Sequence, residues 1–110
     1  MGYVSQGVRA EMEKRVKDAV QVIASSGLDY EEIGVFGSYA RDEYTALSDV
    51  DICVITSCTN RRTLAFIRDE FDERKYDILF VTREGFATGE SRLYKNLRRD
   101  YRRVSVYGQK

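Results

Sequence analysis

Histidine and proline are absent from this 110-residue sequence, cysteine occurs only twice, and neither sign of charge is in excess. Without histidine there is no imidazole general base and no imidazole metal ligand, so proton transfer falls to carboxylates, lysine, tyrosine or cysteine. Cys53 and Cys58 are too few for a disulfide framework and lack the CxxC spacing of a zinc site. Cys53, inside an apolar strand, reads as a small buried hydrophobe. Lys plus Arg number 18 and Asp plus Glu number 18, so no net field draws the chain towards nucleic acid or a membrane. No apolar run is long enough to span a bilayer and no charged-then-apolar leader opens the chain, which gives a cytoplasmic location as the expectation. With no repeat, low-complexity segment or linker, the whole of 1–110 is expected to form one domain, its 43% hydrophobic residues filling a modest core.

The stretch that carries most information is Gly34-Val35-Phe36-Gly37-Ser38-Tyr39-Ala40-Arg41, followed by Ser48-Asp49-Val50-Asp51-Ile52-Cys53-Val54-Ile55. Ile33 to Phe36 is a short apolar run of strand type. Gly37 permits a tight turn and lets a ligand approach where a Cβ would stand. Ser38 occupies a natural N-cap position, with Tyr39 to about Tyr44 as a short helix. Free N–H groups at such a helix start favour an anion, and Arg41 lies on the side that returns towards the turn. Asp49 to Ile55 has strong β character. Alternation along it would put Asp49 and Asp51 on one face, with Val50, Ile52 and Val54 turned the other way towards the helices. Two carboxylates so placed repel one another unless a cation lies between them. Read separately, the glycine turn is an ordinary strand-to-helix turn, Arg41 a surface ion-pair partner, and the acids a solvated strand end.

Around this centre the pattern predicts further elements. Met12, Val16, Ala19, Val20 and Ile23 form one apolar stripe of a helix from about Gly7 to Ser26, closed by Gly27. Thr59 or Asn60 would cap a helix through Leu64, Phe66, Ile67 and Phe71 to about Glu73. Lys75 to Val81 reads as a strand headed by Asp77, a third acid that would join the same patch if its strand lies beside the first. A turn begins at Thr82 or Arg83, Glu84-Gly85-Phe86 is ambiguous, and Ser91 caps a helix to about Arg99. Arg103 to Tyr107 alternates like a closing edge strand. Acids crowd residues 42–51 and 69–73, whereas Arg92, Lys95, Arg98, Arg99, Arg102 and Arg103 make the end of the chain basic, a pattern that fits a solvated helix face or a binding surface.

Gly37-Ser38-x-Ala40-Arg41, then Ser48-Asp49-x-Asp51, then Asp77, resembles the nucleotidyltransferase superfamily that includes DNA polymerase beta, in its minimal branch. The resemblance covers nearly the whole chain, through Leu93-Tyr94-Lys95-Asn96 and Val106-Tyr107-Gly108. It implies an α+β fold, a small mixed β-sheet of the polymerase palm kind with helices packed mainly on one face. It also implies that Gly37 and Ser38 hold a triphosphate, with Arg41 and Ser48 beside them as nucleotide-binding residues. Asp49 and Asp51 would bind two magnesium ions, and Asp77 would complete the metal site and help activate the attacking hydroxyl. Three carboxylates and no histidine suit magnesium, which prefers hard oxygen ligands. Asp42 departs from the pattern, since relatives commonly carry glycine there.

The activity so implied is attack of a hydroxyl on the α-phosphate of a nucleoside triphosphate, releasing pyrophosphate. In the minimal branch the donor is expected to be ATP and the partner a HEPN-type helical toxin, a tyrosine of which receives AMP while the transferase acts as antitoxin. Two other readings stand beside this one: an antitoxin that neutralises its partner by contact alone, and transfer to a nucleic-acid 3′ hydroxyl. The balanced charge speaks against the last, because nucleic-acid affinity grows with the number of phosphates neutralised.

Overall fold

The computed structural model describes residues 5–104. Helix α1 spans Gln6–Ser25, where the Ser5 hydroxyl accepts the Val8 N–H at 3.2 Å and so satisfies one of the free donors of the first turn. Its buried face, Met12, Val16, Ala19, Val20, Val22 and Ile23, is the predicted stripe with Val22 added. Ser26 is the C-cap and Gly27 follows it at φ +86°. Strand β1 covers Glu32–Val35, the one-turn helix α2 Gly37–Ala40, and strand β2 Asp51–Ile55. Helix α3, Arg61–Arg74, starts at Asn60, whose side chain accepts from the Thr63 N–H. Strand β3 is Asp77–Val81, α4 Arg83–Thr88, α5 Arg92–Asp100 and β4 Arg102–Arg103.

The four strands lie in the order β3-β2-β1-β4. β1 runs antiparallel to both β2 and β4, while β2 and β3 are parallel. A parallel pair needs a long crossover, and α3 supplies it. Alternation then sorts the side chains. Ile33, Val35, Val50, Ile52 and Val54 meet α1 and α3 in one cluster with Met12, Ala19, Ile23, Ile67 and Phe71. Cys53, Ile55 and Val81 face the opposite way and are covered by Leu97 of α5, with Phe36, Leu79, Phe86, Tyr94 and Tyr101 around them. The two long helices therefore share one face of the sheet, and the shorter α4–α5 arm closes the other. Phe71 and Ile67 are completely buried, each worth roughly 1.5–3 kcal/mol of apolar burial.

Several boundaries differ from the sequence expectation. Ser38 is not an N-cap. That position is Phe36, which makes no side-chain capping bond, and α2 ends at Ala40 instead of reaching Tyr44. Tyr44 leaves the helix because its ring is drawn into the α1 core, where it is 3% exposed and packs on Tyr39 at a centroid distance of 4.9 Å. Asp49 precedes β2 and stands outside the ladder, so strand alternation does not fix its direction. Lys75 also lies outside β3, closing α3 in the left-handed conformation at φ 63°. The ambiguous Glu84-Gly85-Phe86 belongs to α4, whose N-cap Thr82 accepts from Gly85 N–H. The closing strand is seen at Arg102 and Arg103, and residues 105–107 lie outside the described residues. Among the described residues no helix is long and apolar enough to cross a membrane.

Candidate active site

Parallel pairing sets Asp51 directly opposite Asp77 at the head of β2 and β3. Parallel partners in register project to the same side, and here the two carboxyl groups come within hydrogen-bonding reach. Asp77 N–H bonds to the Val50 carbonyl at 2.8 Å, which fixes that register where the ladder begins. Burial above all, then the bond to Asp77 and the negative charge of Asp77 and Asp49, push the Asp51 carboxyl up to about 7 from its ordinary 3.8. Arg41 acts in the opposite direction. Two acids that cannot both ionise comfortably share a proton until a cation replaces it.

Over this pair stands the glycine turn. Phe36 N–H bonds to the Asp51 carbonyl at 3.1 Å, tying the end of β1 to the start of β2. Gly37 then turns at φ +76°, and a Cβ at this position would collide with Oδ2 of Asp51. Glycine is required here twice, for the backbone angle and for the approach to the carboxylate. Ser38 follows, half-buried, its carbonyl accepting from Glu43 N–H at 2.9 Å.

The other predicted site residues are placed less simply. Asp49 is exposed, close enough for its charge to act on Asp51, and it borders a groove of about 430 Å³ shared with Arg15, Leu47, Lys75 and Tyr76. The Ser48 hydroxyl accepts Thr45 N–H at 2.8 Å, so it shapes the loop that delivers Asp49. Arg41 is the C-cap of α2 and donates to Glu43 at 3.0 Å and to Asp100 at 2.7 Å. Asp42 adopts φ 59°, a left-handed angle that explains why glycine suits this position, and its exposed carboxylate lies 3.9 Å from Arg102. The basic end of the chain is divided among several duties. Arg98 donates to the carbonyls of Phe86 and Gly89 and joins α4 to α5, Arg99 donates to Asp100, and Arg102 lies over the Tyr39 ring.

For magnesium the donor chemistry fits: the Asp51 and Asp77 carboxyl groups lie within hydrogen-bonding reach beside the Gly37 turn, and Asp49 is near enough for its charge to act on Asp51. Among the described residues the acids do not converge as a ready three-ligand cluster. The structure brings Asp51 and Asp77 together and leaves Asp49 to one side. Sequence reasoning missed Asp100, which is 59 positions from Arg41 and carried no motif of its own.

Residues 10–104 match the nucleotidyltransferase domain. The chain belongs to the nucleotidyltransferase domain family and is a transferase of that class. Its fold is similar to the crystal structure of a candidate nucleotidyltransferase from Sulfolobus solfataricus, at a TM-score of 0.65 and 22% identity over 97% of this chain and 91% of that one. It is also similar to a chain in the structure of a toxin–antitoxin with AMP-PNP, at a TM-score of 0.54 and 15% identity over 84% of this chain and 74% of that one. Among curated proteins none matches the sequence.

Proposed function

We propose that this nucleotidyltransferase moves AMP from ATP onto a hydroxyl of a protein partner, a tyrosine of a HEPN-type toxin, and so acts as a cytoplasmic antitoxin. The observation that carries the reading is the Asp51–Asp77 carboxyl pair beneath the Gly37 turn. The similarity to a toxin–antitoxin structure holding AMP-PNP supports the choice of an adenine nucleotide and of a protein acceptor.

Asp49, Asp51 and Asp77 would hold magnesium, which when bound supplies charge neutralisation at the phosphate undergoing transfer. The protein's own part is orientation. Gly37 gives the triphosphate room over the carboxylates, Ser38 offers a hydroxyl and backbone N–H groups, and Arg41 opposes the charge of the outer phosphates. The acceptor oxygen forms a bond to the α-phosphorus as the bond from that phosphorus to the bridging oxygen breaks, and pyrophosphate departs. Asp77, the exposed member of the pair, takes the proton from the acceptor hydroxyl.

Co-expression with a HEPN-type toxin, followed by intact-mass measurement, tests the reading. The toxin should gain the mass of one AMP and lose toxicity. Asp49→Asn with Asp51→Asn should abolish both effects. If the double variant protects cells at equal dose, neutralisation occurs by contact and transfer is not the mechanism. Labelled ATP offered in parallel with RNA and with the toxin identifies the acceptor.

A further inference from the structure

Asp100 terminates α5, which packs on the short helix α2 that follows the glycine turn. Its carboxylate is only 7% exposed and is held by two guanidinium groups. Oδ2 accepts Nη1 of Arg41 at 2.7 Å and Nη2 of Arg99 at 3.2 Å, and Oδ1 accepts Nε of Arg99 at 2.9 Å. A carboxylate this enclosed is a fixed anchor, whereas the second partner of Arg41, Glu43, is 60% exposed and screened by solvent. Arg41 and Arg99 are matched in formal charge by Asp100 and Glu43, but solvent screens the exposed Glu43, so the Arg41 charge is only partly offset. Nη2 of Arg41 makes no hydrogen bond among the described residues, and the charge of Arg41 reaches Asp51.

From this geometry we infer that Asp100 is a positioning residue, which with Arg99 fixes the Arg41 guanidinium beside the phosphate turn so that its free Nη2 meets the polyphosphate of the bound nucleotide. The inference rests on the reading of Arg41 as a triphosphate contact. Arginine suits such a post because its planar fork carries several donors, so that Nε and Nη1 can hold the carboxylates while Nη2 remains for an oxyanion. Lysine in its place would keep the charge and lose the bridge.

The test is calorimetric titration of the full chain, in magnesium buffer, with inorganic tripolyphosphate and separately with AMP. Wild type, Arg41→Ala, Asp100→Asn and the double variant complete a cycle. Asp100→Asn should weaken tripolyphosphate binding about tenfold, leave AMP binding unchanged, and add nothing in the Arg41→Ala background. Arg41→Lys should lose a similar factor. Equal losses in both backgrounds, or a parallel loss for AMP, would mean that Asp100 only supports the fold and would overturn the inference. Tighter binding by Asp100→Asn would overturn it too, by showing that Asp100 withholds Arg41 from the ligand. If wild type binds neither tripolyphosphate nor AMP-PNP, the nucleotidyl-transfer reading itself is rejected. If wild type binds and every variant binds alike, the triphosphate contact of Arg41 and the positioning role of Asp100 are both overturned, while nucleotide binding itself stands. Should Asp100→Asn not fold, Asp100→Glu, which shifts the anchor by one methylene, carries the same cycle.

Discussion

The Tyr101 hydroxyl donates to Oε2 of Glu32 at 2.6 Å, and its ring lies against Gly34, where any Cβ would meet the ring carbons. This contact fastens the segment after α5 to the middle of the sheet. The same bond, together with Arg83, holds the Glu32 carboxyl below its ordinary 4.5 in spite of partial burial.

A pH dependence follows from Glu32. A carboxyl whose folded value is lowered stabilises the protein above its unfolded value, and that stabilisation disappears as pH falls through the folded value. Glu32→Gln should therefore cost about 1 kcal/mol at pH 7, and the gap to wild type should narrow progressively as pH falls below the ordinary 4.5. Thermal melts of both proteins across that range measure it, and a gap independent of pH would contradict the assignment.

Asp51 behaves in the opposite sense. Its folded value is raised, so between the ordinary 3.8 and about 7 the folded protein binds the extra proton and stability declines as pH rises. Without divalent cations, Asp51→Asn should melt higher than wild type, with a margin that grows from pH 5 to pH 8. Magnesium should raise the wild-type melting temperature and leave the variant unmoved. Transfer activity should be lost in the variant throughout.

Gly37→Ala combines a left-handed backbone with a collision against the Asp51 carboxylate. We expect a folded protein destabilised by about 1–2 kcal/mol, with AMP transfer reduced at least a hundredfold. Calorimetry and a pyrophosphate-release assay separate the two effects. An alanine variant with wild-type turnover would show that the carboxylate does not need this approach.

Asp42 and Lys75 hold left-handed angles of 59° and 63° without being glycine. Asp42→Gly and Lys75→Gly should each stabilise by about 0.5–1 kcal/mol, read as higher denaturant midpoints with unchanged slopes. Lys75→Gly should give the larger gain, because aspartate tolerates this backbone region better than lysine.

Most of the fold was legible because its signals are local and repeated. The α1 stripe, the Ser91 cap and the apolar strands each declare themselves within a few residues, and of the two caps the sequence offered for α3, Thr59 and Asn60, the structure uses Asn60. Boundaries were less legible wherever tertiary contact overrode local preference. Tyr44 is pulled from α2 into the core, and Asp49 is released from β2 because the ladder begins one step after Val50. Within the site, the pairing of Asp51 with Asp77 depended on which strands become neighbours, which alternation cannot state. Asp100 was hidden in a run of arginines, and its significance lies in reaching Arg41 from the far end of the chain.

The in-register alignment of β2 with β3 has a consequence for how this family can vary. Inter-strand spacing, about 4.8 Å in any sheet, rules the separation of two side chains that start level on adjacent strands. Helix length, loop insertions and the docking of outer elements can all drift without changing that interval. A slip of a single residue, by contrast, would turn one acid through the sheet to its reverse side. The gauge between the two acids is thus set by the peptide backbone, and selection need only preserve which rung of the ladder they occupy.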